Sequence, residues 1–431
     1  MSEAAAISKT GSKKSKYFAL GWSMTIHSAL MYFITAGLVA DGLNVVIPSY
    51  EAAYGITRGQ MNMAAAAAGW IGIIGVFIFA GIVMKKGPKS VTIVSLILAG
   101  ITVIIFGQMK TITGFALCLI AIRFVVSGIG FTTTNTLVSN WFIKKRGIAF
   151  GIATIGLPLA TAIYVPIASI LIQRFSIGTA FLIIGIVIIA MAPITYFWIK
   201  NTPEEAGLSP DNADLSDEEI ARLKAEVESP ASDWTVAKLL KNKEVWLISL
   251  SYGFLFVVTI GIVTQLVPRM MDQGYEMNKA VGYLSAAAVI GIIGSYLWGW
   301  LDQKFSVRSA SVVYCIWYII AIGLLLTGGK STTFLAIFFV GIALGGIGNL
   351  SPSMVAYTFG RSEFASVSRI IGVIVGIVSP LGFAIMGISY DKTQSYDTGY
   401  MVLIGFAVVA AVLIFLVRKN YNPDLEVIGS P

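Results

Sequence analysis

One histidine and two cysteines in 431 residues leave little from which to build a metal site or a disulfide framework. Charge is scarce as well: charged residues are 12% of the chain, against 56% hydrophobic residues and a mean hydropathy of +0.82. So few charges cannot cover a surface that faces water, which excludes a soluble globular protein and indicates an integral membrane protein. The motifs of enzymes and pumps are missing too. The chain has no His-Glu-x-x-His, no Gly-x-Ser-x-Gly and no phosphate-cradling ATPase loop, so an enzyme, a metal and a cofactor are not expected. The net charge of +8 sits in short basic tracts between apolar runs. Such tracts follow the positive-inside rule and do not point to nucleic acid.

What the chain has is a succession of apolar runs. Residues 1–16 are polar, with Lys9, Lys13, Lys14 and Lys16, and the run behind them is too long for a signal-peptide core of about 7 to 15 residues. We read them as a cytoplasmic tail before a retained first span. Taking about twenty apolar residues per crossing, the expected spans are 17–47, 61–84, 90–108, 113–140, 147–172 and 177–199, then 244–268, 281–301, 309–328, 332–357, 365–390 and 399–417. With the N-terminus inside, the outer side receives only Arg58, Lys110, Arg174, Arg269, Lys279, Lys330 and Lys392 of the 30 basic residues. That bias puts both termini in the cytoplasm.

The fold class is therefore an all-α membrane protein of twelve transmembrane helices. Its expected divisions are the tail 1–16, a six-helix bundle 17–199, a cytoplasmic central loop 200–243, a second six-helix bundle 244–418 and a tail 419–431. In the central loop, Ser216-Asp-Glu-Glu219 fits a capping box, and Ile220, Leu223 and Val227 follow at helical spacing. A short amphipathic helix, solvated or docking a partner, is expected there. The halves repeat: Ser127-Gly-Ile-Gly130 returns as Gly345-Gly-Ile-Gly348 at a shift of 218 residues. Parallel halves of this kind are related by a pseudo-two-fold axis along the membrane normal, with the substrate site near the midplane between them.

Arg123 has no twin, because the same shift lands on Gly341. It lies in a run otherwise uncharged from Thr111 to Ile143, roughly 15 Å of helix rise from the start of its span. A charge at that depth is a functional candidate. Its planar fork suits a carboxylate or phosphate, and the competing reading is a structural Arg bonded to backbone carbonyls. On a continuous helix Ser127, Gly130 and Thr134 share its face. His27 lies about ten residues into the first span, able to carry a proton or simply to pack. Asp41 shares the face of His27 near the outer surface, a candidate for coupling or gating.

Arg123, Gly128, Gly130, Trp141, Phe142, Arg146 and Gly147 together resemble a span 4 motif of the major facilitator superfamily, and the resemblance covers nearly the whole chain. Pro203-Glu-Glu-x-Gly-Leu208-x-Pro-Asp211, Tyr390-Asp391 and Ser395-Tyr396 are similar to the oxalate/formate antiporter and monocarboxylate transporter branch. Two positions depart from it. Lys85 stands where the superfamily usually has an acid, in a loop one residue short, and Ser295 where the branch usually has a carboxylate-binding Arg. The resemblance implies exchange or symport of small organic carboxylates by alternating access in the cell membrane, by a monomer. It also implies that the spans carrying Tyr164, Gln265 and Asn349 line the cavity, so these join Arg123, His27, Ser127 and Thr134 as substrate-binding candidates. Each could equally bond a neighbouring helix.

Gly151, Gly156, Gly291, Gly294, Gly372 and Gly376 are expected at close helix crossings, and Pro158, Pro166 and Pro380 at kinks. No span carries an acid near its midplane, so an anionic substrate would neutralise Arg123 and favour crossing when loaded. That asymmetry gives obligatory exchange, with proton-coupled symport as the alternative. A carrier of neutral or zwitterionic solutes and a non-transporting sensor are the other readings left open.

Overall fold

Every regular element in the described residues is helical, because apolar segments bounded by polar turns satisfy their own backbone groups only as helices. The structure is a computed structural model that describes residues 20–142, 146–206, 208, 236–359 and 364–418. The amphipathic helix expected at 216–227, the basic turn at 143–145, Arg361 and both tails lie outside the described residues. Among the described residues, ten helices are long and apolar enough to cross a membrane, and a shorter apolar helix joins them. This is a multi-pass membrane protein.

In chain order the helices are α1 (Leu20–Asp41), α2 (Leu43–Tyr54), α3 (Arg58–Phe106), α4 (Ile112–Val126), α5 (Phe131–Trp141), α6 (Ala149–Arg174) and α7 (Ile177–Trp198). Then come α8 (Val236–Lys241), α9 (Lys243–Val263), α10 (Leu266–Asp272), α11 (Met277–Lys304), α12 (Val307–Leu326), α13 (Ser331–Phe359), α14 (Val367–Thr393) and α15 (Asp397–Leu416). Side chains cap their starts. Thr111, Ser176, Asn242 and Ser306 accept the backbone N–H of Gly114, Thr179, Glu244 and Ser309 at 2.8 to 3.2 Å.

The chain divides into two units. One comprises Met1–Gly42 and Ile71–Glu228, the other Leu43–Trp70 and Ser229–Pro431. The segment expected as the bundle 17–199 thus lends Leu43–Trp70 to the second unit.

The segment α3 carries two expected spans as two helices joined by a kink at Gly87, whose positive φ of 78° glycine adopts freely. Asn201 fills the bend by accepting the Lys89 N–H at 2.9 Å. The end of α5 clamps the same strand: Asn140 and Trp141 donate to the carbonyls of Asn201 and Lys200 at 3.1 and 3.0 Å. Trp141 lies in a buried cluster with Met24, Tyr32, Phe142 and Ile199. The Trp-Phe of the span 4 motif therefore fastens the chain leaving α7.

In the second unit α11 and α13 cross backbone to backbone. A Cβ on Gly345 would fall on the Gly291 carbonyl, and one on Gly294 on that of Ile342. Only small residues permit this approach. Gly156 likewise meets the Ala29 carbonyl, whereas a methyl at Gly151 or Gly372 would have no neighbour within 4 Å among the described residues. Pro380 opens the second half of α14 as expected of a kink.

Candidate functional site

The first unit holds two π-helical turns, Gly37–Asp41 in α1 and Ala160–Tyr164 in α6. The second lies between Pro158 and Pro166, where a ring without an N–H breaks the regular ladder. The first is closed by the Gly42 N–H on the Gly37 carbonyl at 3.0 Å, a five-residue step. The two turns pack together. The Tyr164 ring covers Gly37 and Gly42 so closely that a Cβ on Gly37 would lie 2.7 Å from it, and Thr161 donates to Asp41 Oδ2 at 2.8 Å.

Arg123 reaches the same place from the last turn of α4. Its Nη1 donates to the Val39 carbonyl at 2.9 Å, inside the π turn, and its stem lies over Gly72. The side chain is half-buried, and its other N–H groups bond no described residue. Arg123, Asp41 and Tyr164 are thus gathered around residues 37–42, where the helix widens into a π turn.

The other candidates of this unit stand elsewhere. The α4 helix stops at 127–130, so the helical face does not run through to Thr134. Ser127 turns back on the Phe124 carbonyl, and the buried Thr134 hydroxyl lies 3.4 Å from that of Ile129. His27 is buried against α7, with Nε2 3.0 Å from the Thr195 hydroxyl and its ring edge-on to Trp198.

In the second unit Gln265 is fully buried, donating Nε2 to Asn62 Oδ1 at 2.7 Å, while its own Oε1 has no partner among the described residues. Asn349 donates to the carbonyl and the hydroxyl of Ser295 at 2.8 and 2.9 Å. The same unit contains an ionic cluster around Arg58, which is 6% exposed. Arg58 bonds Glu51 at 2.6 Å, Asp272 at 2.8 Å and the Tyr396 hydroxyl at 3.4 Å, and its guanidinium lies 4.3 Å from the centre of the Tyr390 ring. Asp391 accepts the Gly59 N–H at 3.0 Å. Arg269 pairs with Asp397 at 2.8 Å. Burial pushes the Tyr396 phenol above its ordinary range against the pull of Arg58, so it stays neutral.

Residues 28–382 match the family described as Major Facilitator Superfamily. The chain belongs to that superfamily. This facilitator is therefore a transporter of small molecules and not an enzyme. Over 341 residues it is 25% identical to monocarboxylate transporter 12 of Xenopus laevis, covering 71% of this chain and 70% of the relative. Over 425 residues it is 22% identical to the probable sulfoacetate transporter SauU of Cupriavidus necator, covering 92% and 94%. Among solved structures, a bacterial homologue of the human lysosomal transporter Spinster, inward-facing and occupied, aligns with a TM-score of 0.69 at 15% identity over 93% of this chain and 98% of that one. The likeness shows the fold.

Sequence reasoning about this facilitator missed the Arg58 cluster. Arg58 counted only as an outer-side cation, although Tyr390-Asp391 and Ser395-Tyr396, which resembled the family, mark its opposite wall. Thr161 was missed as well. It stands three residues before Tyr164, on the helix that meets Asp41, and nothing local distinguishes it from the other threonines of the spans.

Proposed function

We propose that this chain is a secondary transporter that moves a small organic anion, a carboxylate, across the cell membrane by alternating access. In this reading twelve crossings form two six-helix halves, both termini are cytoplasmic, and the monomer is the working unit. The observation that carries it is Arg123: a half-buried guanidinium fixed by one N–H to the Val39 carbonyl, with further donors left for an anion. The names of the relatives, monocarboxylate and sulfoacetate, are names of anions and support the same class. Tyr164 and Thr161 line the turn that Arg123 grips, and Asp41 is the acid within reach of a coupling role. The amide N–H groups of Gln265 and Asn349 are engaged with Asn62 and Ser295, and the His27 ring with Thr195, so we assign these three to helix packing.

Exchange follows from the charge balance. An empty Arg123 is costly to carry through an apolar path and a neutralised one less so, so the loaded form crosses more readily. Counterflow in proteoliposomes tests this: labelled carboxylate should accumulate only when the vesicles hold unlabelled carboxylate. Net uptake into empty vesicles at the exchange rate would overturn exchange. Uptake that follows an imposed pH gradient would favour symport, for which the Asp41–Thr161 pair is the specific observation. Thermal unfolding with mono- and dicarboxylates, amino acids and sugars tests the substrate class. A carboxylate should stabilise the wild type and not Arg123→Ala.

A further inference from the structure

A cavity of about 560 Å³ lies wholly within the second unit, where the turn between α10 and α11 meets the first turns of α13. That volume is in the range of about 300 to 1,000 Å³ typical of small-molecule pockets. Among the described residues its lining carries one acid and one base, Glu276 and Lys279. They stand three residues apart, yet they form no ion pair with each other, and Lys279 Nζ instead lies 5.9 Å from the centre of the Tyr275 ring. Gln273, also in the lining, accepts the Thr333 hydroxyl on Oε1 at 3.2 Å and has a buried Nε2 without an acceptor among the described residues. A buried amide donor left unpaired is unfavourable, and here it borders a space that could admit its acceptor.

The walls are aromatic. Tyr275 meets Tyr283 edge-on at 5.9 Å, and Tyr283 meets Phe334 at 5.8 Å. From the cavity an apolar strip continues along α13, a helix apolar enough to cross a membrane: Phe334 is 64% exposed and Phe338 45%. Tyrosines at the end of such a helix are characteristic of the headgroup layer. A cavity with an unspent acid and base, opening onto a lipid-facing strip, matches a ligand that carries both charges on a short polar group and ends in hydrocarbon.

We propose that this cavity binds the headgroup of a zwitterionic phospholipid. The phosphate lies against Lys279, the Gln273 amide and the Ser331 hydroxyl. The ammonium lies against Glu276 and the faces of Tyr275 and Tyr283, where carboxylate attraction and cation–π attraction add. The acyl chains run along Phe334 and Phe338. This site shares no residue with the proposed transport site, and its test reads lipid retention and not transport.

The experiment is native mass spectrometry of the full chain in detergent, titrated in turn with phosphatidylethanolamine, phosphatidylcholine, phosphatidylglycerol and water-soluble glycerophosphoethanolamine. The two zwitterionic lipids should be retained ahead of phosphatidylglycerol. Lys279→Ala should weaken that retention about fivefold, the weight of one ammonium beside a phosphate surface, whereas Lys304→Ala should not. Glu276→Gln should reverse the order in favour of phosphatidylglycerol, which a merely structural acid would not do. Both residues are exposed at a helix start, so the variants keep the fold. Equal retention of all three lipids, an unchanged order in Glu276→Gln, or equal binding of glycerophosphoethanolamine would each overturn the assignment.

Discussion

Arg58 Nη1 lies 2.8 Å from a carboxylate oxygen of Asp272, tying the start of α3 to the end of α10. The same guanidinium bonds Glu51 and stacks on Tyr390, so one side chain joins three stretches of the second unit that are distant in sequence, around residues 51–58, 272 and 390. Its two acids are only 33% and 29% exposed, which leaves the pairs incompletely screened. Hydrogen bonds between charged groups in such a setting contribute about 1.5 to 3 kcal/mol each before screening. Arg58→Ala should lower the unfolding temperature of the purified protein by several degrees, and Arg58→Lys by less, because an ammonium keeps the charge and loses the fork. A melting curve for Arg58→Ala that overlays the wild type would show that the cluster is only a surface arrangement.

The Gly37 and Tyr164 pair gives a test by rescue. A methyl on Gly37 would lie 2.7 Å from the Tyr164 ring, well inside contact distance. Gly37→Ala should therefore destabilise the protein, by about 1 to 3 kcal/mol as overpacking does. Gly37→Ala combined with Tyr164→Ala should recover part of the loss, since the space the ring occupied is vacated. Additive losses in the thermal unfolding of the double variant would mean that the two positions do not share this contact.

The apolar runs and the basic break between the second and third spans were legible because each is a local property, a stretch of hydrophobic residues or a cluster of Lys, Gly and Pro between two of them. The π turn at Gly37–Asp41 was not, because the Tyr164 ring that packs on it arrives from another helix. The Arg58 cluster failed for the same reason, its members lying at 51, 58, 272, 390 and 396 with no spacing to connect them. Arg123 was legible as an isolated charge. Its partner, a backbone carbonyl, has no side-chain signature, so the bond to Val39 could be listed as a possibility and not located. The face shared with Thr134 assumed a helix that Gly128 and Gly130 interrupt.

Trp141 tests the reading of the span 4 motif as a fastening. Its Nε1 donates to the Lys200 carbonyl at 3.0 Å from a fully buried position. Trp141→Phe keeps most of the ring packing and removes the donor, leaving the carbonyl to find another. The expected loss is about 1 to 3 kcal/mol, seen as faster proteolysis of the 200–243 segment at a protease concentration that spares the wild type. Cleavage at the wild-type rate would separate the motif from this role.

Arg123 and Asp41 distinguish exchange from symport because both touch the same π turn by different chemistry. Arg123→Lys cannot hold the Val39 carbonyl and present a two-pronged face to a carboxylate at once. Its apparent affinity for the carboxylate should fall tenfold or more, equivalent to about 1.4 kcal/mol. Asp41→Asn retains an oxygen that the Thr161 hydroxyl can reach and removes the proton carrier. If the cycle is exchange, counterflow by Asp41→Asn should stay within about twofold of the wild type, since only the loaded Arg123 has to cross. If protons drive the cycle, the same variant should still catalyse exchange but lose accumulation under an imposed pH gradient. Measuring both fluxes on one proteoliposome preparation separates the outcomes, and loss of both together would place Asp41 in the packing of the turn and outside the coupling step.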